Sequence, residues 1–356
     1  MLQKVAKPPL DVSKYPTGLD QKVKAFEELL QQQSGGPRVM GIVGLGGVGK
    51  TTLATEIFNH LRSNYKQSCF LFDIRENSLT TLQSHLLKDL SQSNVQIRSI
   101  AEGKAMLRRD LSSKRALIIL DNADHAQQLE ALLLPAKDVL DSSSLILVTS
   151  RDRQLLINQD IEESSIYKLE CLNQQHSQEL FCLHAFGQPH PVLGFDKVVE
   201  KFLSACHGLP LSLKVLGALL RGNNDLKQWE AQLRKISKML PDDIQSRLQI
   251  SYDSLDEEQK QIFLDIACFF IGEHMDTAIR IWDGSEWQGQ LGFVNLMNKS
   301  LVEVDSKNRI TMHDHLRDLG RGIGEKNSPH RLWRLTDKLL HDLPDKLIVS
   351  ILNFSE

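Results

Sequence analysis

The architecture predicted by this sequence is an α/β P-loop domain built on a parallel sheet, then a helical bundle, then a winged-helix domain, and three observations predict it. Apolar runs at 39–43, 69–74, 116–120 and 145–148 alternate with helical stretches such as 80–90 and 101–112, the pattern of a parallel sheet covered by helices. After Asn173 the strand runs stop, and helical periodicities follow at 174–186, 195–206, 210–220 and 227–238, broken at 187–189, 208–210 and 222–224; these read as a small bundle. Beyond Pro241 more helices lead to two short alternating segments, 301–304 and 309–312, around a polar turn at 305–308. A hairpin after helices suggests a winged-helix module, which can hold DNA or act as a structural clamp.

Residues 1–15 are polar and proline-bearing and read as a linker. The run 39–43 suits a buried parallel strand, and the helical spacing of 52–58 follows it. Between them, 44–52 reads GLGGVGKTT and matches G-x-x-x-x-G-K-[ST], a loop whose backbone N–H groups wrap the phosphates of a nucleotide. Gly44, Gly46, Gly47 and Gly49 let that backbone approach closely, with Val48 between them. Lys50 is placed to reach the terminal phosphates and Thr51 to offer a hydroxyl to Mg2+, while the start of the helix through Thr52 adds positive dipole charge. With glycine at about 7% of residues, such a match recurs by chance in roughly one chain of this length in a hundred.

The strand 116–120 ends in Asp121, which is suited to hold Mg2+ through its water shell. Asn122 follows, where a hydrolytic P-loop protein often carries the residue that orients or deprotonates water; an amide is no base, so turnover is expected to be slow. Asp124 is close by in sequence, its direction unset. The strand near 145–148 runs on to Thr149, Ser150 and Arg151. Ligands in open parallel sheets bind beyond the carboxyl ends of strands, so Arg151 is positioned to feel a γ-phosphate; a surface ion pair with Asp152 is the other reading.

Length and composition set bounds. A chain of 356 residues suggests two or three domains. A net charge of −3 from 42 basic and 45 acidic residues drives the whole chain toward neither nucleic acid nor anionic membrane. The five cysteines, Cys69, Cys171, Cys182, Cys206 and Cys268, show no C-x-x-C pair and read as reduced core residues of a cytosolic or nuclear protein. No apolar segment is long enough to span a bilayer, so the expectation is a soluble protein. In 286–312, Lys299, Lys307 and Arg309 face Glu286, Glu303 and Asp305, a poor balance for a transcription regulator binding DNA through the hairpin. A kinase or GTPase is less favoured still, because Asn298-Lys299-Ser300-Leu301 lacks the aspartate of a guanine-reading loop.

Several further segments carry a resemblance. Besides the P-loop and the Asp121 strand, 69–76 (CFLFDIRE), Thr149-Ser150-Arg151, Gly208-Leu209-Pro210-Leu211, 263–270 (FLDIACFF) and Met312-His313-Asp314 stand in order. Together they resemble the NB-ARC switch ATPases of plant intracellular immune receptors, which are related to apoptotic protease-activating factors. The likeness covers about 15–325, and Asp124 with the 263–270 run is similar to the branch that usually carries a TIR domain.

The resemblance implies a linker at 1–15, a nucleotide-binding domain at 16–172, a bundle or first ARC subdomain at 173–241, a winged-helix second ARC subdomain at 242–328, and at 329–356 a linker toward leucine-rich repeats. It implies that Thr17, Gly18 and Leu19 pass the base or ribose, that Pro210 packs on adenine, that His313 donates to the β-phosphate of ADP and that Asp314 braces it. It implies a cytoplasmic or nuclear switch, a monomer with ADP and a homo-oligomer with ATP, set between signalling and repeat domains. Asn122 departs from the family's usual second aspartate, which puts hydrolysis in doubt and leaves binding untouched.

Overall fold

Among the described residues five strands, β1 (Arg38–Val43), β2 (Gln67–Leu71), β3 (Ala116–Ala123), β4 (Leu145–Ser150) and β5 (Ile166–Lys168), pair only in parallel, in the order β2-β3-β4-β1-β5, and this sheet organises the first of two compact units, Met1–Cys171 and Leu172–Glu356. The computed structural model describes residues 8–32, 37–93, 95–236, 244–285 and 287–327. The proposed linker at 329–356 therefore lies outside the described residues, as does the start of the one at 1–15.

The first unit runs α1 (Leu19–Gln31), β1 (Arg38–Val43), α2 (Lys50–Leu61), β2 (Gln67–Leu71), α3 (Leu79–Ser91), α4 (Ile100–Asp110), β3 (Ala116–Ala123), α5 (Ala126–Lys137), β4 (Leu145–Ser150), α6 (Arg153–Ile157) and β5 (Ile166–Lys168). The central strands read as continuous apolar runs because both faces are covered: every residue of β4, and all of β3 except Asn122, is buried. Ser78 and Ser99 start α3 and α4 by accepting the backbone N–H groups of Thr81 and Glu102. Leu82, Leu86 and Leu90 of α3 and Leu107 of α4 recur at helical spacing and pack into the same core as Ile118, Leu120, Ile146 and Val148.

Two strand boundaries differ from those expected. The strand read at 69–74 is β2 at Gln67–Leu71, because Asp73 adopts a left-handed backbone (φ 42°) and a 3-10 turn occupies Ile74–Glu76. The segment 116–120 extends to Ala123 through an irregularity in register between Leu120 and Ala123. The stretch 8–15 is tied down: Leu10 exchanges two 2.8 Å hydrogen bonds with the Asn59 side chain, and Arg62 donates to the Pro8 carbonyl at 2.7 Å.

In the second unit, α7 (Gln174–Phe186), α8 (Asp196–Cys206), α9 (Pro210–Leu219) and α10 (Leu226–Ile236) form the bundle around Trp229, whose ring stacks on Phe186 at 5.2 Å and meets Phe181, Phe195 and Phe202 edge-on. Its Nε1–H, which burial would otherwise strand, donates to the Asn223 carbonyl at 2.9 Å.

The winged-helix part comprises α11 (Ile244–Asp253), α12 (Glu257–Asp265), a π-helical turn at Ile266–Phe270, α13 (Met275–Gly284), α14 (Gly289–Asn298), the antiparallel pair β6 (Glu303–Val304) and β7 (Ile310–Thr311), and α15 (Asp314–Asn327). Leu211 and Val215 of α9 share a core with Phe263, Trp282, Phe293, Ile310 and Leu316, so the bundle and the winged helix pack as one body. Lys214 of α9 also pairs with Glu303 of β6. No described helix is long and apolar enough to cross a membrane.

Candidate functional site

The loop 44–49 leaves β1 and enters α2 through two left-handed glycines, Gly47 at φ 75° and Gly49 at φ 98°. Gly44 is constrained differently: a Cβ there would stand 2.7 Å from the Leu169 carbonyl oxygen. Val48 is buried and anchors the loop, with its N–H toward the Leu45 carbonyl at 3.3 Å. Gly49 occupies the N-cap of α2 with no side chain to satisfy the first-turn N–H groups of Lys50, Thr51 and Thr52, so these donors suit an anion.

Lys50 is buried, and its Nζ donates to the carbonyls of Gly44 and Leu45, each at 3.0 Å. Burial, reinforced by the positive charge of Arg151 and opposed by Asp121, brings its ammonium down to about 8. Arg151, exposed just past the end of β4, is thus close enough to Lys50 for their charges to be felt. Two cations held together this way suit a polyphosphate.

Thr51 Oγ1 lies 3.0 Å from both carboxylate oxygens of Asp121. Burial raises the Asp121 pKa; hydrogen bonds from the Thr149 and Thr51 hydroxyls and the Asp73 backbone N–H pull it back, while the Asp73 charge adds to the rise. A divalent cation would relieve that burden by fixing the carboxylate as an anion. The pair Thr51 and Asp121 is a donor set of the kind Mg2+ accepts, since this ion keeps several waters. Among the described residues no three or more His, Cys, Asp or Glu side chains form a metal cage.

Asn122 has a left-handed backbone (φ 63°), and its Nδ2 donates to Asp73 Oδ1 at 2.7 Å. Asp124 turns toward α5, accepting from Gln128 Nε2 at 2.9 Å, with Arg75 at 4.0 Å. Gly18 caps α1 in a left-handed conformation (φ 67°), Leu19 is buried, and Thr17 Oγ1 is buried with no hydrogen-bond partner. The glycine-lined N–H donors and the paired cations fit a polyphosphate.

In the second unit, His207 (φ 49°) and Gly208 (φ 70°) form successive left-handed residues, and Pro210 opens α9, where its missing N–H costs nothing. His313 is exposed before α15; its Nδ1 accepts the His315 backbone N–H at 3.2 Å, so in the neutral ring the proton resides on Nε2. The Asp314 side chain lies outside the described residues.

The motif Thr149-Ser150-Arg151 assigns Thr149 no role of its own, yet its hydroxyl donates to Asp121 Oδ1 at 2.6 Å and accepts the Asn122 N–H at 2.8 Å. The signal was present: a buried hydroxyl at the end of the strand that neighbours the Asp121 strand. Asp73 had no such signal, because its placement depends on the turn after β2.

The NB-ARC domain family matches residues 19–190, and the winged-helix domain described as disease resistance protein Roq1-like matches residues 256–328. The chain is 38% identical to disease resistance protein RPV1 of Vitis rotundifolia over 91% of its own length and 24% of the relative's. It is 36% identical to TMV resistance protein N of Nicotiana glutinosa over 89% of its length and 28% of the relative's. The chain thus spans about a quarter of the curated relatives it matches. Among solved structures, a signal transduction ATPase with numerous domains and a tetratricopeptide repeat sensor, from Pyrococcus horikoshii, superposes at TM-score 0.59 with 14% identity, covering 98% of this chain and 48% of that one, a likeness of fold. Since its sheet-bearing half is matched as NB-ARC and its C-terminal part as a resistance-protein winged helix, the chain belongs to the NB-ARC family of plant disease-resistance proteins.

Proposed function

We propose that this chain is the nucleotide-dependent switch of a plant disease-resistance receptor: ADP holds it closed and monomeric, and exchange for ATP favours an open form that oligomerises. The observation that carries this reading is the Thr51 and Asp121 pair beside buried Lys50, a phosphate and Mg2+ locus at the carboxyl ends of the strands. A switch needs only that the two nucleotides bind its two arrangements with different affinity, and turnover serves to reset it. In this reading the nucleotide-binding domain is 16–172, the bundle 173–241 and the winged helix 242–328.

Gly46, Gly47, Val48, Gly49, Lys50, Thr51 and Thr52 bind phosphates, Thr51 and Asp121 hold Mg2+, and Arg151 faces the γ-phosphate. Thr17, Gly18 and Leu19 pass the base or ribose, Pro210 packs on adenine, and His313 donates through Nε2 to the β-phosphate. The full receptor is cytoplasmic or nuclear and adds signalling and leucine-rich-repeat domains. The DNA-binding alternative gains no support from the hairpin, where Glu303 pairs with Lys214 and the Lys299 ammonium, lowered by burial, donates to Ser254 Oγ at 3.2 Å.

Denaturing the purified protein and identifying what it releases tests the reading. ADP, with very slow ATPase activity, is expected; an empty site or multiple turnovers per second contradicts it.

A further inference from the structure

Asp73 and Asn122, neither of them glycine, both have left-handed backbones at the carboxyl ends of the neighbouring strands β2 and β3. Such conformations persist where surrounding structure over-determines them, and they cluster at functional sites. Here the two side chains meet, Asn122 Nδ2 donating to Asp73 Oδ1 at 2.7 Å. Asn122 is fixed from the other side as well, its backbone N–H donating to Thr149 Oγ1 at 2.8 Å. The register irregularity between Leu120 and Ala123 turns the segment out of the regular ladder, as bulges beside active sites do.

Asp73 is equally tied to the Mg2+ side of the site. Its backbone N–H donates to the Asp121 carboxylate, and its own charge is near enough to be felt there. A second carboxylate therefore stands beside Asp121, and the side chain that steadies it is the amide at the position where a hydrolytic carboxylate was expected.

We propose that Asp73 orients the attacking water toward the γ-phosphate and that Asn122 holds Asp73 in place, so that the site keeps its carboxylate but carries it on β2 instead of β3. This rests on the nucleotide-switch reading above. In the step, the water hydrogen-bonds to the Asp73 carboxylate and its oxygen bonds to the γ-phosphorus, while the bond from that phosphorus to the β,γ-bridging oxygen breaks. The bridging oxygen keeps the electron pair and departs with ADP, and one water proton passes to a γ-phosphoryl oxygen. The products are ADP and dihydrogen phosphate, and Asp73 ends the step as it began. Asp73 touches the reacting water; Asn122 is a positioning residue.

The experiment compares wild type, Asp73→Asn and Asn122→Gly in single-turnover conversion of saturating Mg·ATP to ADP. Calorimetric ADP affinity and the ATP:ADP ratio released from each purified protein are read alongside. Asp73→Asn is expected to bind ADP within about threefold of wild type, to form ADP about 30-fold or more slowly, and to carry ATP where wild type carries ADP. Asn122→Gly suits the left-handed backbone, removes the donor that holds Asp73, and is expected to slow ADP formation about tenfold while ADP affinity stays within about threefold of wild type.

Wild-type turnover in Asp73→Asn overturns the proposal, as does a wild type that binds ATP and never converts it, or a loss of ADP binding with Asp73→Asn. If Asp73→Asn does not fold, Asn122→Gly decides: slowed ADP formation with ADP affinity kept supports the proposal, and wild-type turnover overturns it. A wild type that binds neither nucleotide sinks the switch reading itself, whereas tight binding with turnover indifferent to residue 73 sinks this inference alone.

Discussion

Thr149 Oγ1 stands 2.6 Å from Asp121 Oδ1 and accepts the Asn122 backbone N–H at 2.8 Å, so one hydroxyl on β4 fixes the end of β3 at two points. Thr149→Val is nearly isosteric but leaves a part-buried N–H without its acceptor and a buried carboxylate without its shortest donor. The expected cost is about 1–3 kcal/mol of folding stability. A urea unfolding midpoint unchanged from wild type contradicts it.

Lys50 is expected to make nucleotide affinity depend on pH. Its ammonium, brought from the ordinary 10.5 to about 8, has released a proton in the folded chain that the unfolded chain still holds between those values. The group's contribution to the stability of the nucleotide-free protein therefore rises with pH across that window and is smallest below it. Phosphate requires the charged form, so ADP affinity runs the other way and falls about tenfold per pH unit above 8. Calorimetry in buffers of different ionisation enthalpy should detect proton uptake above that point and none near neutrality. Lys50→Ala abolishes the pH dependence and weakens ADP by about 10- to 100-fold or more; an affinity equal to wild type refutes the assignment.

His313 both caps α15, through Nδ1, and offers Nε2 elsewhere. The two roles separate by substitution. His313→Ala removes both and should cost about 0.5–2 kcal/mol of stability along with faster ADP release. His313→Ser keeps a capping oxygen, so stability is retained while ADP still leaves faster. Equal ADP off-rates in wild type and His313→Ser rule out the phosphate contact.

Trp229 is the keystone of the bundle, fully buried among Phe181, Phe186, Phe195 and Phe202. Trp229→Ala should destabilise the second unit by about 3–5 kcal/mol. Trp229→Phe should lose less, chiefly by leaving the Asn223 carbonyl without its donor. Thermal unfolding in which both variants match wild type contradicts the packing described.

The sequence determined what local chemistry can determine. The P-loop glycines, the buried runs of β1, β3 and β4, the helix breaks at Gly187 and Gly208, and Asp121 at a strand end were legible because each depends on a residue's own backbone freedom, charge or neighbours at fixed spacing. The short edge strand β5 is not legible in the sequence, since its three residues carry too little periodicity and owe their pairing to β1. Tertiary structure alone decided that Lys50 is buried beside Arg151, that Thr149 of β4 grips Asp121 of β3, and that Asn122 reaches Asp73. Those contacts join residues 28, 49 or more positions apart, and their distances follow from parallel strand register and a left-handed turn after β2, which the closing of the sheet sets and no local propensity encodes.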